Sequence, residues 1–348
     1  MIQIPLLGDD PVHRLKLFGY TEREADFLYL VGLQSGFFLR RQYTQFAGTR
    51  AGGADAALIT KVLGKGHASA VMGCHQTQVY HLHARSFYAA LAPGDNRNRR
   101  MRPPASIRCR LMALDYVLDH PGPRYLGTEQ EKIAYFTLSL GVELGALPVK
   151  EFRLPKADDT TARFFVDKYP ICVREEPAGP SQVSFCFIDE GFATCAHFEA
   201  YLRQYRSLFD CLANFELIYV AASQNLFWEA ERLFLTFASG DWHGHSGNLN
   251  AVDFPRLLEY FEDRKRAEAG NWQGLNRDRL IQLRADGQRF SGPLFEALYD
   301  QWRVAGQEAI QSELARKSSV KPWNGAFSPY LLRHRYELFG TLSGGRDA

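Results

Sequence analysis

The chain has 348 residues, 46% of them hydrophobic and 23% charged, with a formal net charge of +2. That balance is ordinary for a globular protein and excludes a disordered chain, a collagen or a coiled coil as the main architecture. At roughly 100–200 residues per domain the length predicts two or three domains, each able to bury its own core. No run approaches the ~18 continuous apolar residues of a membrane span. The start, MIQIPLLGDDP, lacks a basic region followed by an apolar core. A soluble, cytoplasmic protein without a membrane partner is therefore expected. The six cysteines (74, 109, 172, 186, 195 and 211) form no CxxC pair and lie mostly in apolar runs, as reduced core thiols would.

In chain order, Thr21-Glu22-Arg23-Glu24 is the first strong signal. It reads as a capping box, with the Thr21 hydroxyl on the Glu24 amide and the Glu24 carboxylate reaching back. It opens a helix with Ala25, Leu28 and Val31 on one face, closing near Gly36. Phe37 and Phe38 read as a short apolar link, and a second helix runs from Arg40 through Phe46 to a stop at Gly48. A turn over Thr49 to Gly53 precedes a third helix from about Ala54 to Leu63, with Ala57, Leu58 and Val62 at helical spacing. The period then changes. Ala68 to Met72 and Thr77 to Leu82 read as strands around a turn at residues 73–76, and Ala84 to Leu91 as a fourth helix. Three helices followed by a two-stranded hairpin is the order of a winged helix-turn-helix.

Charge singles out the same stretch. Between Leu39 and Leu111 there are twelve Lys and Arg residues against Asp55 and Asp95 alone, a local charge of +10 that leaves the remainder near −8. Such segregation is the electrostatic footprint of a nucleic-acid surface, because each neutralised phosphate releases counterions. In a winged helix the third helix enters the major groove and the hairpin lies on the backbone or minor groove. Thr49, Arg50, Thr60, Lys61 and Lys65 are then expected to face DNA from the turn and third helix. Arg40 and Arg41 would hold phosphates at the second helix, and His75, Gln76 and Gln78 would be wing contacts.

The residues Thr21, Arg23 and Leu28, then Tyr43 and Phe46, then Tyr80-His81-Leu82-His83 follow a recognisable order. On them the run from Tyr20 to Leu91 resembles the winged-helix segment of the replication-relaxation family of bacterial plasmids and other mobile elements. There T-x-R-x-x-x-x-L opens the first helix, L-x-x-x-F follows, and the wing ends in Y-x-L-T-x-x-G. The chain departs from that pattern at His83-Ala84-Arg85, where the family has Thr and a nearby Gly, and its third helix carries fewer basic residues. The resemblance covers about a fifth of the chain. It implies a duplex-DNA-binding regulator, or a replication or transfer accessory, associated with the nucleoid.

Asn96 to Pro104 is polar, basic and proline-terminated, a linker in which Arg97, Arg99 and Arg100 could also lie on phosphates. A helix follows with Ile107, Leu111, Leu114 and Val117, ending before Pro121. Thr128-Glu129-Gln130-Glu131 reads as a second capping box. Ala162 to Asp167, Ile171 to Arg174 and Gln182 to Asp189 read as strands, followed by a helix, the strand Phe215 to Ala221 and another helix. That order makes a mixed α/β domain. With Asp167 on one strand and Asp189-Glu190 ending another, an alternative reading is a metal-dependent nuclease with a restriction-endonuclease-like core, in active or degenerate form. Such chemistry needs acids on a divalent metal and a lysine two residues after the second acid, where this chain has Gly191 or Phe192. Asp189-Glu190-Gly191 is otherwise a strand-to-helix turn. His243 and His245 lack a third ligand nearby, so no metal or cofactor is expected.

The segment from Asn250 to the end is helical in pattern, with dense aromatic residues near its close. The expected fold is mixed α/β in an α+β sense. Residues 1–95 would form a winged helix-turn-helix, 96–240 linker helices and the mixed α/β domain, and 241–348 a helical region. The expected partners are double-stranded DNA and a second copy of the chain or another protein of the same system. A scaffold that binds no DNA is the remaining alternative.

Overall fold

In the structure, a computed structural model, the described residues are 10–50, 52–72, 78–91, 97–153, 160–167, 169–175, 181–239, 253–290, 293–318 and 322–336. They divide into two units: residues up to Glu231 together with those from Gly325, and the segment Arg232–Asn324.

The first unit begins with helices α1 (Pro11–Lys16) and α2 (Glu22–Gln34), strand β1 (Phe37–Leu39), helices α3 (Arg40–Ala47) and α4 (Gly53–Gly64), strands β2 (Ala68–Met72) and β3 (Gln78–Leu82), and helix α5 (Arg85–Leu91). The capping box that opens α2 is formed: Glu24 Oε2 accepts from Thr21 N–H at 2.8 Å, and Thr21 Oγ1 from Glu24 N–H at 3.4 Å. Gly48 ends α3 in the left-handed conformation. Phe37 and Phe38, expected as a link, are a strand. They pair with His81 and Tyr80 of β3, giving an antiparallel sheet of order β1-β3-β2.

Strand alternation sends this apolar pair to opposite faces of the sheet. Phe38, Tyr80 and Leu82 enter a core with Phe27, Leu28, Val31, Leu58 and Phe87 from the helices. Phe37, Leu39 and Val79 point the other way, onto α6 (Pro104–Asp119). A sheet buried on both faces shows a continuous apolar run rather than an alternating one.

Helix α6 lies between that small sheet and a larger one. The larger sheet has the order β10-β9-β8-β7-β4, from β4 (Arg124–Tyr125), β7 (Ile171–Arg174), β8 (Gln182–Asp189), β9 (Phe215–Ala221) and β10 (Gly325–Leu331). β8, β9 and β10 are parallel, and β7 is antiparallel to both its neighbours. Cys186, Ile188, Ile218 and Val220 pack with α6 residues. Phe185, Phe187 and Tyr219 make ring contacts with Phe198, Tyr201, Tyr205 and Phe209 of α8 (Ala196–Cys211) on the opposite face. Helix α7 (Glu129–Ala134) is capped by Thr128, which accepts from Glu131 N–H at 3.0 Å. The Glu131 carboxylate reaches Gly127 N–H instead of Thr128, so the second capping box closes one residue early. The strand expected at 162–167 is β6 (Thr160–Phe164). It pairs with β5 (Val149–Arg153) in a separate two-stranded ribbon.

Helix α9 (Phe227–Ala238) begins in the first unit and runs into the second. The second unit continues with α10 (Phe254–Glu268), α11 (Arg277–Arg289) and α12 (Pro293–Ser318), the last kinked at Gly306. Leu257, Phe261, Phe295, Leu298 and Tyr299 form its core. Arg256–Asp286, Arg264–Glu296 and Arg279–Asp263 tie its helices at 2.6–2.8 Å. The unit is therefore an insertion, in sequence, between β9 and β10. Residues 325–331, expected within a helical region, form a strand because their partner is β9, about 110 residues earlier, and register with so distant a segment leaves no local period. Among the described residues no helix is long and apolar enough to cross a membrane.

Between α2 and β1 the chain turns at Gly36, with φ +77°. An added Cβ there would stand 2.6 Å from the Asn98 carbonyl oxygen. Gly36→Ala is expected to cost about 2 kcal/mol or more, from positive-φ strain plus a backbone collision, measured as a lower urea midpoint.

Candidate nucleic-acid interface

The thirteen side chains expected to meet DNA have very different surroundings. Thr49 and Arg50 follow Gly48 and are exposed, and Lys65 is exposed just past the end of α4. Gln78 is exposed at the start of β3, its Oε1 accepting from Tyr80 Oη at 2.8 Å. Thr60 is exposed on the outer side of α4, but its hydroxyl donates back to the Ala56 carbonyl at 2.9 Å, leaving the oxygen only as an acceptor beside the methyl group. Arg97 opens a short 3-10 turn through Arg99, and Arg99 and Arg100 are exposed. His75 and Gln76 lie outside the described residues, as do His243 and His245.

Three of the cations expected to meet DNA are engaged internally. Arg40 Nε donates to Asp55, and Asp55 also accepts from Gly52 N–H at 2.9 Å at the start of α4. That hydrogen bond with Arg40 holds the Asp55 carboxyl down to about 2. The Arg40 side chain is half exposed, so its outer edge stays within reach of an anion while its charge is matched. Lys61 Nζ grips both oxygens of Glu24, at 2.9 and 2.7 Å, joining α4 to the cap of α2. Arg41 is the clearest correction. Its two terminal nitrogens bind Asp115 of α6 at 2.8 and 2.7 Å, and one of them also donates to Tyr336 Oη at 2.8 Å. Asp115 is 1% exposed, and a carboxylate so buried requires a cationic partner. Arg41 supplies it.

Asp115 and Asp119, one turn apart on α6, were not legible as functional acids, nor was Tyr336. Asp115 also accepts from Gln42 Nε2 at 2.7 Å, and Asp119 from Gln45 Nε2 at 2.9 Å and Tyr330 Oη at 2.7 Å. An acid inside the apolar run Leu111 to Leu118 was the available signal, since it predicts a buried partner without saying which. The basic linker is also tied down. Buried Asn98 donates to the carbonyls of Gly32 and Leu33 at 2.9 Å, and Arg110 donates to Ser35 O at 2.7 Å and Asn98 Oδ1 at 2.6 Å, so both close the end of α2.

The acids of the nuclease alternative serve the fold. Asp189 Oδ1 accepts from Gly191 and Phe192 N–H at 2.8 and 3.1 Å, a turn after β8, and its other oxygen accepts from Tyr219 at 3.1 Å. Asp167 accepts from Tyr205 Oη at 2.7 Å and Tyr169 N–H at 3.2 Å, and burial pushes its pKa up. Burial also raises Glu190, against a stabilising hydrogen bond from the Cys109 thiol. Among the described residues no three His, Cys, Asp or Glu side chains are grouped to hold a metal ion.

No family model, curated protein or solved structure matches the chain significantly.

His81 of β3 is 2% exposed and stacks on Phe37 with ring centroids 4.3 Å apart. Burial pulls its pKa down to about 4; the Asn98 backbone opposes the shift, while His83 and Arg110 add to it. The folded state thus holds a neutral ring that the unfolded chain protonates near 6.5. Its contribution to stability is complete above 6.5 and is lost as pH falls towards 4. Urea midpoints measured across that window should drop more steeply for the wild type than for His81→Gln; parallel profiles would contradict this.

Proposed function

We propose that residues up to Leu91 form a winged helix-turn-helix that binds duplex DNA, in a regulator or a replication or transfer accessory of the kind the replication-relaxation resemblance implies. The reading is supported by the order α2-β1-α3-α4-β2-β3 with β1 joining the hairpin strands in one sheet. The observation that carries it is the division of the basic residues. Arg40, Arg41 and Lys61 are matched by acids, while exposed Arg50 and Lys65 flank α4 without an ion pair among the described residues.

Helix α4 itself offers DNA mainly methyl groups. Ala54, Ala57, Thr60 and Leu63 are exposed, Asp55 is buried, and Lys61 is held by Glu24. Apolar groups can meet thymine methyls but do not hydrogen-bond base edges. Affinity in this reading comes chiefly from phosphate contacts by the flanking cations, with modest sequence discrimination.

The test is salt-dependent binding to random duplex DNA. The double variant Arg50→Ala/Lys65→Ala should weaken binding at least about tenfold and reduce the slope of log K against log salt by about 2, near one unit per lost phosphate contact. Lys61→Ala should leave that slope unchanged and lower stability by about 1–2 kcal/mol, because it strips the partner from buried Glu24. Salt-independent or undetectable binding by the wild-type chain would reject the reading and leave the interaction scaffold.

A further inference from the structure

The acids that engage α3 also bind Tyr330 and Tyr336, from β10 and the residues just after it. Beyond β10, Leu332 is buried with Phe37, Leu39 and Val79 of the small sheet and Ile188 and Val220 of the large one. Four residues on, Tyr336 is 6% exposed. Its single hydroxyl proton lies between two acceptors, the Asp115 carboxylate and Leu111 O at 3.0 Å, and the hydroxyl oxygen accepts from Arg41 at 2.8 Å. The Arg41 guanidinium also stands 5.5 Å from the centre of the Tyr336 ring. One turn along α6, Tyr330 shares Asp119 with Gln45 of α3. Both ends of α3 are thus joined to α6 through acids that each also bind a C-terminal tyrosine.

We propose that the segment Leu332–Tyr336 is a positioning strap for the DNA interface, with Tyr336 as its key residue, acting through Arg41 on α3. The proposal rests on the winged-helix reading for its functional half only. Arg41, set aside as a phosphate ligand, acquires a different role. It fixes the rotation of α3, and α3 carries the Arg40–Asp55 contact that sets the start of α4. The strap follows the entire inserted helical unit in sequence, so the interface depends on chain that comes after that insertion.

Tyr336→Phe is the discriminating substitution, because it keeps the ring beneath Arg41 and removes the hydroxyl from Asp115. In the full chain without DNA, amides of α3 should exchange about tenfold faster while those of α8 and β9 stay unchanged. Duplex affinity measured well below the melting temperature should fall about fivefold, with the salt slope unchanged, since no phosphate contact is lost. Leu208→Ala, which lowers stability from α8, should leave affinity intact and so separates positioning from loss of fold. If Tyr336→Phe does not fold, Arg41→Lys gives the same two readouts, since it keeps the charge but cannot span Asp115 and Tyr336 together. Unchanged α3 exchange overturns the strap. Faster α3 exchange with unchanged affinity overturns its role in binding. A wild-type chain that binds no duplex overturns the functional reading, while the exchange measurement still decides the strap.

Discussion

A single buried carboxylate organises the first unit. Asp115 receives both terminal nitrogens of Arg41, the amide of Gln42 and the hydroxyl of Tyr336, which come from two segments distant in sequence. An ionised carboxylate in that position is costly unless it is paired and fully hydrogen-bonded. The requirement is therefore met only when α3, α6 and the C-terminal segment are all in place. Hydrophobic packing alone allows sliding between elements, since apolar contact has no direction. The bidentate Arg41–Asp115 geometry does not. In this way a polar contact converts the packing of α6 between two sheets into a defined arrangement.

The same logic changes the meaning of the basic stretch. Its charge of +10 suggested a nucleic-acid surface, and only part of it is exposed. Yet Arg41, Lys61 and Arg110 spend donors on Asp115, Glu24 and the end of α2. A local excess of cations thus divides into exposed side chains and side chains that hold the fold together. Only pairing separates the two uses, because a side chain that closes a buried acid has few donors left for an anion. Among the described residues, exposed cations of that stretch without an ion pair include Arg50, Lys65, Arg85, Arg99 and Arg100, around the elements rather than along α4.

Much of the fold could be read locally. The Thr21–Glu24 cap, the Gly48 stop, the α4 face and the β2 and β3 strands all rest on interactions within a few residues, and the structure follows them closely. The misses share a cause. β1 is too short and too apolar to show a period, β5 needs β6 to be recognised, and β10 pairs with a strand on the other side of an inserted unit. Asp189 was legible. It reads as a strand-to-helix turn, with catalysis only as the alternative, and it accepts from the Gly191 and Phe192 amides of that turn; the contact with Tyr219 is what the sequence did not show.

By itself the sequence determined the class of the fold, the helix-and-hairpin order of its first ninety residues and the concentration of basic charge between Leu39 and Leu111. Each of these is encoded in periodicity, caps and composition over short range. Tertiary structure alone decided which cations are paired internally, that Asp115 is their buried partner, and that Tyr336 meets Arg41 of α3. Those outcomes depend on pairs such as Arg41 with Tyr336, 295 residues apart, and on the cost of burying a charge, which has no sequence until the fold supplies its partner.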